Sequence, residues 1–332
     1  MGISVVILPL WPTRRGSAWG AAIVREGISR CGLYQPYVLI TPARNEEAFI
    51  EKTIQSMILQ TVLPAKWVIV DDGSTDSTAS IVGHYLARYD WIEMIKMPQH
   101  RDHNFAAKVA AFNAGVKLVK GMDYSFIGNL DADISLPPSY YEDIISEFER
   151  DPRLGIAGGI VYSKIWNGFT ADDTAPDSVA GAVQLFRKEC FDQVGGYIPL
   201  ENGGIDAAAE IIARMNDWKV RKFREKIVYQ HRRSGSARKW RLVAWYKQGV
   251  RFHSLGYSTA FYLFRTVYRL KIDRPFLISG ALSLCGFLSA RVRKCPVSLP
   301  PKAVSYLRSE QARKLRDRFF GTPMRMFKRA TE

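Results

Sequence analysis

The sequence predicts an α/β fold built on a parallel sheet, followed by a mainly α-helical, basic C-terminal region. Three observations predict it. From Tyr37 onward, short apolar runs alternate with stretches of helical spacing. Polar clusters follow the apolar runs directly, where open α/β sheets bind ligands. The charge also changes sign along the chain: residues 219–332 hold 28 Lys and Arg against 5 Asp and Glu, a net of +23, and residues 1–218 hold 19 against 27, a net of −8.

The elements follow in order. "YVLIT" has the unbroken apolar character of a strand buried on both faces, and "NEEAFIEKTIQSMILQ" has helical spacing with acids in its first turn. "KWVIV" is a second strand, and "STDSTASIVGHYLARY" a helix with Ser and Thr at its start. "IEMIKM" and "NFAAKVAAFNAGVKLV" give a third strand and helix. "YSFIGNLD" and "PPSYYEDIISEFER" give a fourth, its helix opened by prolines. Such alternation implies βαβ units on a parallel sheet. Beyond Asp151, "GIAGGIVYSK", "GAVQLFR" and "KIVYQHR" read as strands, with helices near 189–194 and 206–216; the polar, small-residue string 171–182 between them reads as a loop over the site.

An apolar share of 47% over 332 residues suits a packed globular chain. Cys31, Cys190, Cys285 and Cys295 are widely spaced with no CxxC pair, which argues against a zinc knuckle or disulfide framework and fits a reducing cytosol. The early apolar run "VVILPLW" is followed, not preceded, by Arg14 and Arg15, so it makes a poor signal peptide. The basic back end points to a polyanion, nucleic acid or anionic lipid.

Four motifs sit at strand ends. "TPARNEE" follows the first strand, where Asn45 can be a simple cap. "VDDGSTD" (residues 70–76) ends the second, as a turn and helix cap or as acids that grip a base or a ribose hydroxyl. Lys108 and Asn113 lie five apart on the third helix; near a phosphate, Lys108 is a point-charge partner. "DAD" places Asp131 and Asp133 one residue apart after the fourth strand. Two such like charges repel unless a cation joins them. A hard divalent ion, Mg²⁺ or Mn²⁺, held by one or two carboxylates and substrate phosphates, meets that need.

The set P-x-x-N-E, V-D-D-G-S-T-D, K-x-x-x-x-N-x-G and D-x-D, in this order after successive strands, resembles the family-two glycosyltransferases over about residues 37–231. The resemblance implies the Rossmann-like GT-A fold and inverting transfer from nucleotide-diphosphate sugars. It implies that Pro42, Arg44 and Glu46 line the nucleotide pocket, that Asp71 or Asp72 reads the base, and that Lys108 lies near the nucleotide. It makes Asp131 and Asp133 the motif for metal and nucleotide sugar, with Asp133 the direct ligand, and brings His231 toward the metal or diphosphate. One departure matters. Where many relatives carry E-D-x-D, this chain has "AAAE" at 207–210, which leaves Asp206 and Glu210 on one helical face. The reaction needs a carboxylate that deprotonates an acceptor hydroxyl. Asp206, after the glycines of "NGGI", is favoured; the alternatives for Glu210 are that it is the base in place of Asp206 or that it positions Asp206.

The uncharged stretch 276–290 would span roughly 22 Å as a helix, short of the roughly 30 Å hydrocarbon core. With its surrounding arginines and aromatics it reads as an interfacial or buried element. Residues 303–320 read as an amphipathic basic helix with Val304, Leu307, Leu315 and Phe319 along one side. The expected organisation is an N-terminal extension (1–36), a catalytic domain (37–231) and a membrane-associating region (232–332). The expected reaction moves a sugar to a lipid-linked glycan acceptor at the cytoplasmic membrane face, in cell-surface polysaccharide or glycoconjugate synthesis. Transfer onto a polyprenyl phosphate is the nearest alternative. A processive synthase is disfavoured because "QHRRS" lacks the Trp of Q-x-x-R-W. No nucleic-acid reader motif is present, so a nucleic-acid partner is not expected; a non-catalytic nucleotide-sugar sensor is the remaining rival.

Overall fold

The computed structural model describes residues 34–99, 105–171, 175–232, 238–272 and 277–320. The expected N-terminal extension therefore lies almost wholly outside the described residues. The front half runs β1 (Tyr37–Ala43), α1 (Ile50–Ile58), β2 (Lys66–Asp71), α2 (Thr78–Leu86), β3 (Ile92–Lys96), α3 (Phe105–Val119), β4 (Phe126–Asn129), β5 (Ile134–Ser135) and α4 (Tyr140–Arg150). It continues through β6 (Leu154–Ile165), β7 (Gly168–Ala171), a 3-10 turn (Gly181–Val183), β8 (Leu185–Arg187), α5 (Lys188–Val194), α6 (Ile205–Met215) and β9 (Lys219–Gln230). Among the described residues these strands form one nine-stranded sheet, ordered β3-β2-β1-β4-β8-β6-β9-β5 with β7 on β6.

The continuous apolar runs are strands because both sheet faces are covered. β1, β2, β3 and β4 are mutually parallel. Alternate residues of β1 and β2 feed opposite layers. Val38, Ile40, Val68 and Val70 pack with Phe112 of α3 and with α5 and α6. Leu39, Trp67 and Ile69 pack on the other face with Ile50, Ile54 and the aromatic side of α4. β8 runs antiparallel to β4 and β6, which turns the sheet from its nucleotide-type half into the second half.

α1 begins at Ile50, later than the helical pattern that opens at Asn45. The reason is where the amides go. Asn45 is left-handed (φ 54°) and its N–H donates to Ser74 Oγ, while those of Glu46 and Glu47 donate to Thr78 Oγ1 and Asp76 Oδ2. In return Asn45 Oδ1 and Glu47 Oε2 accept the N–H groups of Thr75 and Ser77. The loops after β1 and β2 thus cap each other, and side chains take the place of the first helical turn. "GAVQLFR" likewise gives only a short strand, its first half forming the 3-10 turn.

Four helices follow: α7 (Arg238–Ser254), α8 (Thr259–Ile272), α9 (Leu277–Val292) and α10 (Pro301–Phe320). α9 carries most of the uncharged stretch and presses one face on α7. A Cβ on Gly249 would lie 1.8 Å from Ser283 O, and one on Gly286 would lie 2.1 Å from Tyr246 O, so the backbones touch. Tyr262 stacks on Phe287 at 4.3 Å. Among the described residues no helix is long and apolar enough to cross a membrane. α10 packs on α6 and α8. Its buried line differs from the expected one: Ala303 and Leu307 are followed by Glu310 and Gln311, while Phe319 is exposed. The polar pair is buried because it is bonded, Glu310 to Lys314 (2.9 Å) and Gln311 Oε1 to the Ser258 amide (2.9 Å).

Candidate active site

The acid pair lies in the turn that leaves β4. Lys108 of α3 donates to Asp131 Oδ1 at 2.6 Å, and Asn129 Nδ2 donates to the same oxygen at 2.8 Å. Asp133 is buried and accepts from Gln230 Nε2 at 3.2 Å, with Arg232 Nε at 3.8 Å. Burial first, then the charge of Asp131, pushes the Asp133 carboxyl up to about 6 against Gln230, Arg232 and Lys108. Arg232 also bonds Glu46. Burial pushes Glu46 up to about 7; Asp133 and Asp131 add to this and Arg232 opposes it. Three acids therefore share two cations in one partly desolvated site.

His231 touches this site through its main chain, its N–H donating to Asp133 O at 2.9 Å. Its ring has other partners: Nε2 lies 2.8 Å from Ser135 Oγ, and the ring meets Phe169 edge-on. Burial, with Lys52 and Lys164 nearby, pushes the imidazole down to about 4, so it is neutral at pH 7. Among the described residues no three His, Cys, Asp or Glu side chains are grouped closely enough to hold a metal by themselves.

At the ends of β2 and β3 opens a cleft of about 610 Å³, lined by Asp71, Gly73, Ser74, Asp76, Lys96 and Gln99 among others. Asp71 Oδ1 accepts the Ser74 amide at 2.9 Å, and the Asp72 amide donates to Ala43 O at 2.8 Å. Both carboxylates are buried. Pro42 pairs with Val70 across β1 and β2, and half-buried Arg44 and Glu46 follow β1.

The second half of the sheet brings α6 to the same place. Asp206, half-buried in the first turn of α6, accepts the Gly181 amide on Oδ2 at 3.3 Å. The Gly181 carbonyl accepts from Asn129 Nδ2, the same group that donates to Asp131. The Asp131 amide donates to Ala182 O at 2.9 Å. Glu210, one turn further on, is 3% exposed; its Oε1 accepts the Val179 amide at 2.6 Å and Gln184 Nε2 at 3.3 Å. Burial, with Asp206 adding, pushes Glu210 up to about 8. Of the two, only Asp206 keeps open surface.

Residues 38–231 match the family described as Glycosyl transferase family 2. The chain belongs to glycosyltransferase family 2. Over 238 residues it is 25% identical to the poly-beta-1,6-N-acetyl-D-glucosamine synthase of Staphylococcus epidermidis, a match covering 64% of this chain and 53% of that one. The chain thus spans about half the length of that relative. Its fold is similar to that of S. aureus TarS 1-349 solved with UDP-GlcNAc (TM-score 0.52, 18% identity, 84% of this chain and 92% of that one). It is also similar to the mannosyltransferase PcManGT of Pyrobaculum calidifontis solved with GDP-Man and Mn²⁺ (TM-score 0.51, 15% identity, 86% and 81%). The GT-A fold follows.

In this family 2 glycosyltransferase the structure also brings in residues that the motifs omit. Arg232 bridges Glu46 and Asp133 from 186 positions down the chain, a pairing without a local signature. Gln184 is fully buried, accepting from Tyr197 Oη at 2.8 Å and donating to Glu210. An amide inside the apolar run "GAVQLFR" was its only signal in the sequence.

Glu210 sets a pH dependence of stability. A carboxyl whose folded-state pKa is raised favours folding fully below its unfolded value and loses that contribution as pH rises through the folded one. For Glu210 the window runs from 4.5 to about 8. Glu210→Gln keeps the acceptor for Val179 and does not titrate. Its melting temperature relative to the unsubstituted protein should therefore rise steadily between pH 5 and pH 8.5. A difference that stays constant with pH contradicts the buried, neutral Glu210.

Proposed function

We propose that the enzyme transfers a sugar, with inversion, from a nucleotide-diphosphate donor to a hydroxyl of a lipid-linked glycan acceptor in cell-surface polysaccharide or glycoconjugate synthesis. The observation that carries this reading is the bonded path Asp206–Gly181–Asn129–Asp131, which fixes a half-exposed carboxylate relative to the acid pair. The donor class is supported by the nucleotide sugars named with TarS and PcManGT, and the glycan acceptor by the polymer named for the staphylococcal relative. In this reading the base lies in the cleft beside Asp71 and Asp72, Pro42, Arg44 and Glu46 flank the nucleotide, and Lys108 faces the diphosphate.

The donor set suits a hard divalent cation, Mg²⁺ or Mn²⁺. Asp131 and Asp133 offer oxygen ligands, and the raised Asp133 carboxyl is a buried acid short of positive charge. His231 supports Asp133 through its main chain. When bound, such an ion supplies positive charge toward a leaving diphosphate. The chain's own residues do the rest. Asp206 takes the proton of the acceptor hydroxyl as that oxygen bonds to the anomeric carbon. The bond from that carbon to the diphosphate oxygen breaks on the opposite face, and the diphosphate leaves with the electron pair. Glu210, buried and neutral, positions the 179–184 segment.

The same reading divides the chain at residue 231 and sets the C-terminal region against an anionic cytoplasmic membrane face. Leu263, Val267, Tyr268, Ile278 and Phe319 are exposed. The Phe264 and Phe319 rings lie 5.3 Å apart and Arg318 sits over the Tyr268 ring at 5.5 Å, so α8 and α10 share one apolar, cationic end.

With products from a donor panel and membrane extract followed by mass spectrometry, Asp206→Asn should lower turnover by about 10² or more and leave donor affinity unchanged. Near-normal turnover in both Asp206→Asn and Glu210→Gln would instead favour a polyprenyl-phosphate acceptor, which has no hydroxyl proton to remove.

Liposome sedimentation should retain the protein on anionic vesicles more than on neutral ones. Salt should release it only partly, because screening acts on charge and not on apolar burial. Equal retention on both vesicle types would remove the electrostatic part of the membrane proposal.

A further inference from the structure

We infer that Arg251, on a helix beyond the family-matched segment, is a positioning residue for Asp206: it holds the turn that presents this carboxylate and supplies the positive charge that faces it. The inference rests on the proposed role of Asp206. α6 starts from two successive left-handed residues, Gly203 (φ 78°) and Gly204 (φ 91°), and no side chain caps its N-terminus. A turn of glycines is free to adopt many conformations, so its geometry needs an outside constraint. α7 provides one. Arg251 Nε donates to Asn202 O at 3.0 Å. Its Cγ and Cδ lie 3.1 Å from where a Cβ on Gly204 would stand, with Leu255 Cδ1 at 3.3 Å. A side chain at 204 would strain the left-handed backbone and press on Arg251 and Leu255, so glycine there and arginine at 251 form one fitted contact.

The charges around Asp206 give the contact a chemical use. Glu210 lies one turn further along α6, and Asp131 lies across the Gly181 peptide. Both acids, with Asp206, press on the buried Tyr197 hydroxyl. Arg251 is the cation on the α7 side, and Asp206 is the charge that opposes the downward pull of burial on its guanidinium. With Glu210 holding its proton, Asp131 is the like charge near Asp206 and Arg251 the opposite one. A proton acceptor must be ionised before the acceptor hydroxyl arrives. The catalytic unit on this account extends past residue 231 to at least α7.

The test reads Asp206 directly and needs neither donor nor acceptor. Full-length protein labelled with ¹³Cγ aspartate is titrated by NMR, the Asp206 signal being the one absent from Asp206→Asn. In Arg251→Met the Asp206 pKa should rise by about one unit or more, the usual effect of losing an adjacent opposite charge. Arg251→Lys should restore most of that shift. An Asp206 pKa that does not move in Arg251→Met overturns the inference. If Arg251→Met fails to fold, Arg251→Gln, whose amide can still reach the Asn202 carbonyl, carries the same prediction and the same refutation. The base role fails separately: normal turnover in Asp206→Asn removes that reading and leaves the titration result standing.

Discussion

The site depends on one peptide unit that is bonded on both sides. Gly181 gives its N–H to Asp206 and its C=O to Asn129, and Asn129 passes the contact on to Asp131. Asp206 belongs to the second half of the sheet and Asp131 to the parallel half. The two halves share one sheet through β8, and the hydrogen-bonded link between the two carboxylates runs through the 179–184 segment. That segment is held along its length, by Glu210 at Val179, by the Asp131 amide at Ala182 and by the Asn129 amide at Gln184. Transfer between two bound substrates requires reacting groups held within a narrow range of distances, and under the proposed function a loop bonded at residues 179, 181, 182 and 184 serves that need.

Electrostatics explains why so many polar residues are buried here. Glu46, Asp131 and Asp133 converge with Lys108 and Arg232, so among the described residues these acids outnumber the cations paired with them. A buried surplus of negative charge is unfavourable in the free protein and is relieved by whatever positive charge enters with the donor. Glu210 shows the other resolution of the same problem: fully desolvated and beside Asp206, it holds its proton and serves as a neutral bonding group.

The parallel half of the fold was legible because strands buried on both faces leave unbroken apolar runs, and the site acids follow those runs directly. The elements placed less well are those set by distant partners. α1 starts late because the 74–78 loop takes the amides of residues 45–47. The uncharged stretch of α9 spends one face on α7 through Gly249 and Gly286, which are 37 positions apart. The polar line of α10 is buried because Lys314 and Ser258 meet it. Within the site, Asp131, Asp133, Asp206 and Glu210 were visible as residue types at strand and helix ends. Asn129, Gln184, Arg232 and Arg251 were not, since each works through a partner far away in the sequence.

The central claim, that the Gly181 peptide fixes Asp206 against the acid pair, is tested most directly by amide hydrogen exchange resolved at Val179 and Gly181. The account predicts that both amides exchange as slowly as those of the β4–β8 ladder, and that Asn129→Ala speeds exchange at Gly181. Rapid exchange at Gly181 in the unsubstituted protein, or exchange there that Asn129→Ala leaves unchanged, would contradict it.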